Sequence, residues 1–260
     1  MSTRLMQTMP CIMKAWLLFS VVMLTLCCQA TGVTVSIHYG KEVNNTEFPY
    51  FVGLTEEVNG GYRCGGTLIS KDTVLTAAHC VYDFAPKLIA NIGMDERSPL
   101  EALERVPVKQ IFIPGQYGKV SGMYDIAILK LAHAVTATHA YMPLKEWNIS
   151  DGAEVYAIGF GKTEKGGMPN HLLGASFQMV NWYAHCSGHN YPKGYPPTHF
   201  DPHYHLCTQS YTDGGDSGGP VMNQYEGKFY QIGIVSRGLL NAGQQTRVSA
   251  YYDWIARHIK

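Results

Sequence analysis

The segment DIAILKL, residues 125–131, sets Asp125 at the mouth of a short apolar run, the pattern of a buried strand. Comparable runs lie upstream: FPYFVGL at 48–54, GGTLIS at 65–70, KLIANIG at 87–93 and KQIFIP at 109–114. Others lie downstream: AEVYAIGFG at 153–161, FQMVNWY at 177–183, GPVMN at 219–223 and FYQIGIVSRG at 229–238. Glycine, proline and asparagine clusters separate them. That rhythm predicts an all-β protein, a sandwich or a pair of barrels. Only the tail, residues 248–260, has a helical pattern, with Tyr251, Ile255 and Ile259 recurring four apart. The chain carries no internal repeat and no low-complexity tract.

Its 260 residues are 46% hydrophobic and 15% charged, enough for one large domain or two small ones with real cores. The formal net charge is zero, so nothing favours nucleic acid or an anionic membrane surface as a partner. The 27 glycines, 13 prolines and 17 tyrosines suit a turn-rich β protein.

Residues 1–30 read as a signal peptide. Lys14 precedes the apolar run 15–28, and Cys28-Gln29-Ala30 puts small residues at the two recognition positions of a signal-peptidase site. The run is shorter than the roughly 20 residues a membrane span needs. A secreted, extracellular protein is expected, with an uncleaved anchor as the alternative. Cys11, Cys27 and Cys28 then leave with the leader. The remaining Cys64, Cys80, Cys186 and Cys207 form an even set suited to disulfides, and the sequence leaves their three possible pairings open. No C-x-x-C spacing points to a metal site.

Two more motifs join DIAILKL: LTAAHC at 75–80, which holds His79, and GDSGGP at 215–220, which holds Ser217 among glycines. Singly, a His, an Asp and a Ser mean little. In this order and at these separations, across residues 37–260, they resemble the trypsin/chymotrypsin family. The resemblance implies two packed six-stranded antiparallel β-barrels with a C-terminal helix. It implies a catalytic triad of His79, Asp125 and Ser217, and an oxyanion hole from the N–H groups of Gly215 and Ser217. The CGGTLIS segment at 64–70 matches the stretch before the family's histidine motif, which implies a Cys64–Cys80 bridge, with Cys186–Cys207 in the second barrel. Gly159-Phe160-Gly161 stands where the family usually has Gly-Trp-Gly.

Maturation and specificity follow by the same resemblance. Ile37 stands where a new N-terminus would turn inward to pair with Asp216, making residues 31–36 a short propeptide or part of the signal segment. Ser36 precedes Ile37 where most zymogens carry Arg or Lys, so a trypsin-like activator has nothing to recognise. The substrate pocket is expected from Tyr211 at its base and from Ser236, Gly238 and Gly243 along its walls. Asp213 takes a position that normally holds a cysteine, and Arg237 one that normally holds a Trp walling the subsites upstream of the cut. Without an acid at position 211, cleavage after apolar or aromatic residues is expected; Asp213 reaching inward would instead restore a basic preference.

The stretch between Cys186 and Cys207 is expected to be a loop beside the cleft, with His199, His203 and His205 as surface residues instead of metal ligands. Asp95, Glu96, Glu101 and Glu104 read as a solvated acidic loop in preference to a calcium site. Asn44 and Asn148 head glycosylation sequons. The expected partners are protein or peptide substrates and serpin-type or reactive-loop inhibitors. The chain is expected to be a monomer with no cofactor. A catalytically silent homologue acting as a binding module is the rival function.

Overall fold

The computed structural model describes residues 40–56, 60–83, 87–142, 145–163, 166–194, 199–209, 212–240 and 242–259. All of them belong to one compact unit, Val35–Lys260. Six antiparallel strands close the first barrel: β2 (Phe51–Glu56), β3 (Tyr62–Ser70), β4 (Thr73–Thr76), β5 (Leu88–Ile92), β6 (Glu104–Phe112) and β7 (Ala127–Leu131). The DIAILKL run supplies β7, which is buried along its whole length between β4 and β6. A strand covered on both faces needs no polar alternation, so the run is apolar but for Lys130, whose Nζ donates to Asp72 Oδ1 and Thr73 Oγ1, each at 2.9 Å.

The second sheet is built from β8 (Glu154–Gly159), β9 (Leu173–Gln178), β10 (His205–Thr208), β11 (Pro220–Tyr225), β12 (Lys228–Gly238) and β13 (Gly243–Arg247). It counts seven strands, not six, because β1 (Lys41–Glu42) adds itself to β9. Its ends meet beyond β9: a bridge joins Met179 to Thr208, and the Val180 N–H donates to the Cys207 carbonyl at 3.0 Å. These bonds curl the sheet back on itself and leave β10 without a free edge there.

Aromatic side chains fill the seam between the barrels. Phe51 of β2 meets Phe160 edge-on at 5.7 Å, and Phe48 stacks on Tyr156 at 5.5 Å. Phe51 and Phe160 are fully buried, and each such ring contributes roughly 1.5–3 kcal/mol through the area it removes from water. The disulfides join Cys64 to Cys80 and Cys186 to Cys207. The first closes a loop of 16 residues, worth about 3 kcal/mol in chain entropy.

Two segments depart from the sequence reading. The FQMVNWY run does not continue as a strand, because β9 ends at Gln178 and a short helix, Trp182–His185, follows. Asn181 caps it by accepting the Ala184 N–H at 3.1 Å, which commits the chain to turn. The tail is helical from Val248 as expected, but its first turn, Val248–Tyr251, is 3₁₀ and only Tyr252–His258 is α-helical. Tyr251 and Ile255 are buried on the core and Ile259 packs at its edge, as their spacing requires.

Candidate active site

His79 sits in a short 3₁₀ turn, Ala78–Cys80, directly after β4. The Cys64–Cys80 bridge ties that turn to β3. Asp125 stands just before β7, and β4 and β7 are paired neighbours, so the barrel itself brings acid and imidazole together. The His79 backbone N–H donates to Asp125 Oδ1 at 2.9 Å, and Nδ1 lies 2.8 Å from Oδ2.

Asp125 is only 2% exposed. Burial pushes its carboxyl up, but the hydrogen bonds and charge of His79 outweigh this, helped by Ser236, and the group ends below its ordinary range. An ionised carboxylate only accepts, so Nδ1 carries the proton and Nε2 is left as the base. The Ser236 hydroxyl donates to Asp125 Oδ2 at 2.5 Å, and the Thr246 hydroxyl donates to the Asp125 carbonyl at 2.8 Å. Sequence reasoning placed Ser236 in the pocket wall and missed this bond; it missed Thr246 altogether. No local pattern announces either contact.

Ser217 lies on a glycine-rich turn ahead of β11. The Gly65 N–H of β3 donates to its carbonyl at 2.8 Å, stitching the turn to the first barrel. Gly218, at φ +78°, leaves no room for a side chain: a Cβ would sit 2.3 Å from Thr76 Oγ1 and 3.1 Å from Cys80 Sγ. The turn is thus pressed onto the bridge that holds His79. Gly215 adopts φ +108°, and among the described residues no carbonyl takes up its N–H or that of Ser217. Nor, among the described residues, does a hydrogen bond join Ser217 to Nε2 of His79; that nitrogen lies 3.8 Å from Cys80 Sγ. Although Cys64, His79 and Cys80 cluster, both sulfurs are spent on the disulfide.

Asp216 is wholly buried beneath this turn. Its Oδ1 accepts the Gly161 N–H at 2.7 Å and Oδ2 the Asp213 N–H at 3.0 Å. Gly159 and Gly161 make its niche, since a Cβ on them would lie 2.3 and 2.0 Å from the carboxylate oxygens. Burial raises the carboxyl to about 7, against the pull of the two backbone donors. Ile37, its expected partner, lies outside the described residues. Above it, the half-buried Tyr62 packs edge-on to Phe160 at 5.1 Å, and its hydroxyl donates to the Gly215 carbonyl at 2.9 Å. No motif marks this contact in the sequence.

Tyr211, the expected pocket base, also lies outside the described residues. Gly238 ends β12 opposite Gly243 of β13, and space opens in front of it. The Gly243 side is occupied: a Cβ there would lie 2.5 Å from Gln245 Nε2 and 2.7 Å from Thr208 Oγ1. Gln245 bonds both the Ser236 N–H, at 3.3 Å, and the Thr208 hydroxyl, at 3.1 Å. Asp213 is exposed, with Oδ1 accepting the Gly214 N–H at 2.5 Å. Of the histidines after Cys186, His199 and His203 are exposed. His205 is not: it is buried, with Nδ1 accepting the Asp201 N–H at 3.0 Å. Burial lowers its pKa to about 4, so it is a neutral core residue and not a surface one. Asn44 and Asn148 are both exposed.

Comparison with known proteins agrees with this geometry. The Trypsin family model matches residues 37–255. Chymotrypsin-like elastase family member 1 from Macaca fascicularis is 30% identical over 243 residues, covering 85% of this chain and 88% of that protein. Its counterpart from Homo sapiens is 30% identical over 239 residues, covering 83% and 89%. Among solved structures, the Vibrio cholerae VesB protease superposes with a TM-score of 0.71 at 25% identity, over 85% of this chain and 67% of that one.

Proposed function

Because the chain belongs to the trypsin family of serine proteases, we propose that it is a secreted endopeptidase whose nucleophile is Ser217. The observation that carries this reading is the buried Asp125 carboxylate set 2.8 Å from Nδ1 of His79, which orients the ring with Nε2 turned away from the acid. Nε2 takes the hydroxyl proton as Oγ bonds to the peptide carbonyl, whose electrons move onto its oxygen. The N–H groups of Gly215 and Ser217, which no carbonyl takes up among the described residues, receive that oxyanion. His79 returns the proton to the leaving amine as the C–N bond breaks. Water then repeats the sequence, releasing the acid and restoring the hydroxyl. The substrate would lie as an extra strand along the Ser236–Gly238 end of β12, which runs beyond the part paired with β11.

Cleavage after an apolar or aromatic residue fits the open space at Gly238. Beyond it, Gln245 and Thr208 are already engaged with each other, and neither offers a charge to a basic side chain. The two disulfides suit an oxidising compartment and support secretion. Exposure of Asn44 and Asn148 supports glycosylation there, and the buried carboxylate of Asp216, held by backbone N–H groups, supports pairing with a new N-terminus at Ile37. Mature protein beginning at Ile37 should label covalently at one serine with a fluorophosphonate, and Ser217→Ala should abolish labelling and turnover while leaving the fold intact. Failure of the wild-type protein to label would favour the catalytically silent alternative.

A further inference from the structure

Arg237 is an unusual neighbour for a serine protease site. It directly follows Ser236, whose hydroxyl holds Asp125, at a point where β12 shifts register against β13, and its side chain leaves the strand on the Gly122 side. There its guanidinium lies flat over Gly122, on the loop that leads to Asp125. A Cβ on Gly122 would fall 2.4 Å from Nη2 and 2.6 Å from Cζ, so only glycine admits the guanidinium. Gly122 also adopts φ +68°, the left-handed conformation that glycine favours.

The guanidinium has little to bind within the protein. Among the described residues its one side-chain hydrogen bond runs from Nη2 to the Val120 carbonyl at a long 3.4 Å. Among the described residues no carboxylate pairs with it. The groups around it are Tyr117 and the buried His205, whose titration Arg237 depresses, and Gln244, its partner across β13. Asp125, at the end of this loop, is engaged instead by His79 and Ser236. The nearest basic neighbour on the same loop, Lys119, is paired with Asp83. Beside this pair, Tyr82 and Tyr117 set their rings 5.2 Å apart. What results is a half-buried guanidinium with donors to spare, facing a tyrosine-lined stretch of cleft.

Resting on the endopeptidase reading above, we propose that Arg237 selects a carboxylate-bearing side chain at the second or fourth substrate residue on the amino side of the cleaved bond. In a peptide paired with β12, the first and third residues point toward the Gly238 opening, and the second and fourth toward Arg237. A guanidinium matches a carboxylate with two parallel donors, which an amide of the same shape cannot satisfy.

The test compares peptides differing only by Glu or Gln at the second and fourth positions. For the wild-type enzyme kcat/KM should favour Glu about tenfold, as a charge-assisted bond in a partly solvated site would give. The preference should shrink with added salt. Arg237→Met, which keeps bulk and removes charge, should bring the ratio to about one, and Arg237→Glu should transfer the preference to Lys. The affinities of the same peptides for Ser217→Ala should show the same ordering without chemistry. That ordering, with no fluorophosphonate labelling of the wild type, would sink the protease reading and leave the acid selection standing. Equal rates and equal affinities for Glu and Gln would overturn the proposal. So would an Arg237→Met variant that slows every peptide alike, because Arg237 would then only brace the loop.

Discussion

Tyr62 places a neutral donor where a charged one would be costly. Burial raises its pKa well above the ordinary phenol value, and the nearby Asp216 raises it further, so the hydroxyl keeps its proton throughout the working range. That proton is given to the Gly215 carbonyl. Gly215, with φ +108°, is one of the two proposed donors to the oxyanion. Tyr62→Phe keeps the ring against Phe160 and deletes one bond worth about 1 kcal/mol. We expect kcat to fall about fivefold with KM nearly unchanged, since the oxyanion forms only after substrate is bound. A variant with raised KM and normal kcat would show that the hydroxyl serves binding and not the oxyanion loop. At this scale the sequence revealed His79, Asp125 and Ser217, each marked by its own motif. It did not reveal Tyr62 or the Asp125 bond of Ser236, whose contacts join residues 153 and 111 positions apart. Contacts across such separations are created by the barrel seam and leave no local trace.

Among the elements, β8 and the residues after it do two jobs at once. Phe160 enters the seam, while Gly159 and Gly161 open the niche for Asp216. Gly161 has no left-handed conformation to protect, so Gly161→Ala adds a pure collision, its Cβ lying 2.0 Å from Asp216 Oδ2. Overpacking of this kind costs about 1–3 kcal/mol. Because the displaced carboxylate precedes Ser217, fluorophosphonate labelling should slow as well. Gly167→Ala, with nothing within 4 Å of the added methyl, is the control and should change neither melting nor labelling. Equal behaviour of the two variants would mean the niche is not tight. Most strands were legible as apolar runs because the faces they bury must be apolar. β1 was not, since its two residues, Lys41 and Glu42, are exposed and join the sheet through backbone bonds alone. The Trp182–His185 helix was hidden for a related reason: its aromatic residues mimic a strand, and the deciding feature is a single Asn181 cap.

For the molecule as a whole, the proposed cleavage before Ile37 would act on the pH dependence of Asp216. In the chain described, its partners are backbone N–H groups, and burial holds its carboxyl at about 7 against an ordinary 3.8. Between those values the folded chain keeps a proton that the unfolded chain has released. Stability from this group is therefore complete below pH 3.8 and is lost as pH rises toward 7, on the order of 4 kcal/mol in all. Asp125 runs the other way: its folded pKa lies below the ordinary range, so its contribution is present above that range and lost as acid protonates it. Supplying an α-ammonium at Ile37 would replace the proton on Asp216 with a fixed cation and remove the loss near neutrality. The uncleaved chain should accordingly melt lower at pH 7.5 than at pH 5, roughly as these pKa values require. Asp216→Asn should lack that slope, having no carboxyl to ionise, and protein beginning at Ile37 should lack it because the carboxylate is paired. Calorimetric melting of the three proteins across this range decides the matter. If the uncleaved chain and Asp216→Asn fall in parallel, the slope belongs to other groups and Asp216 is not the site where cleavage is registered.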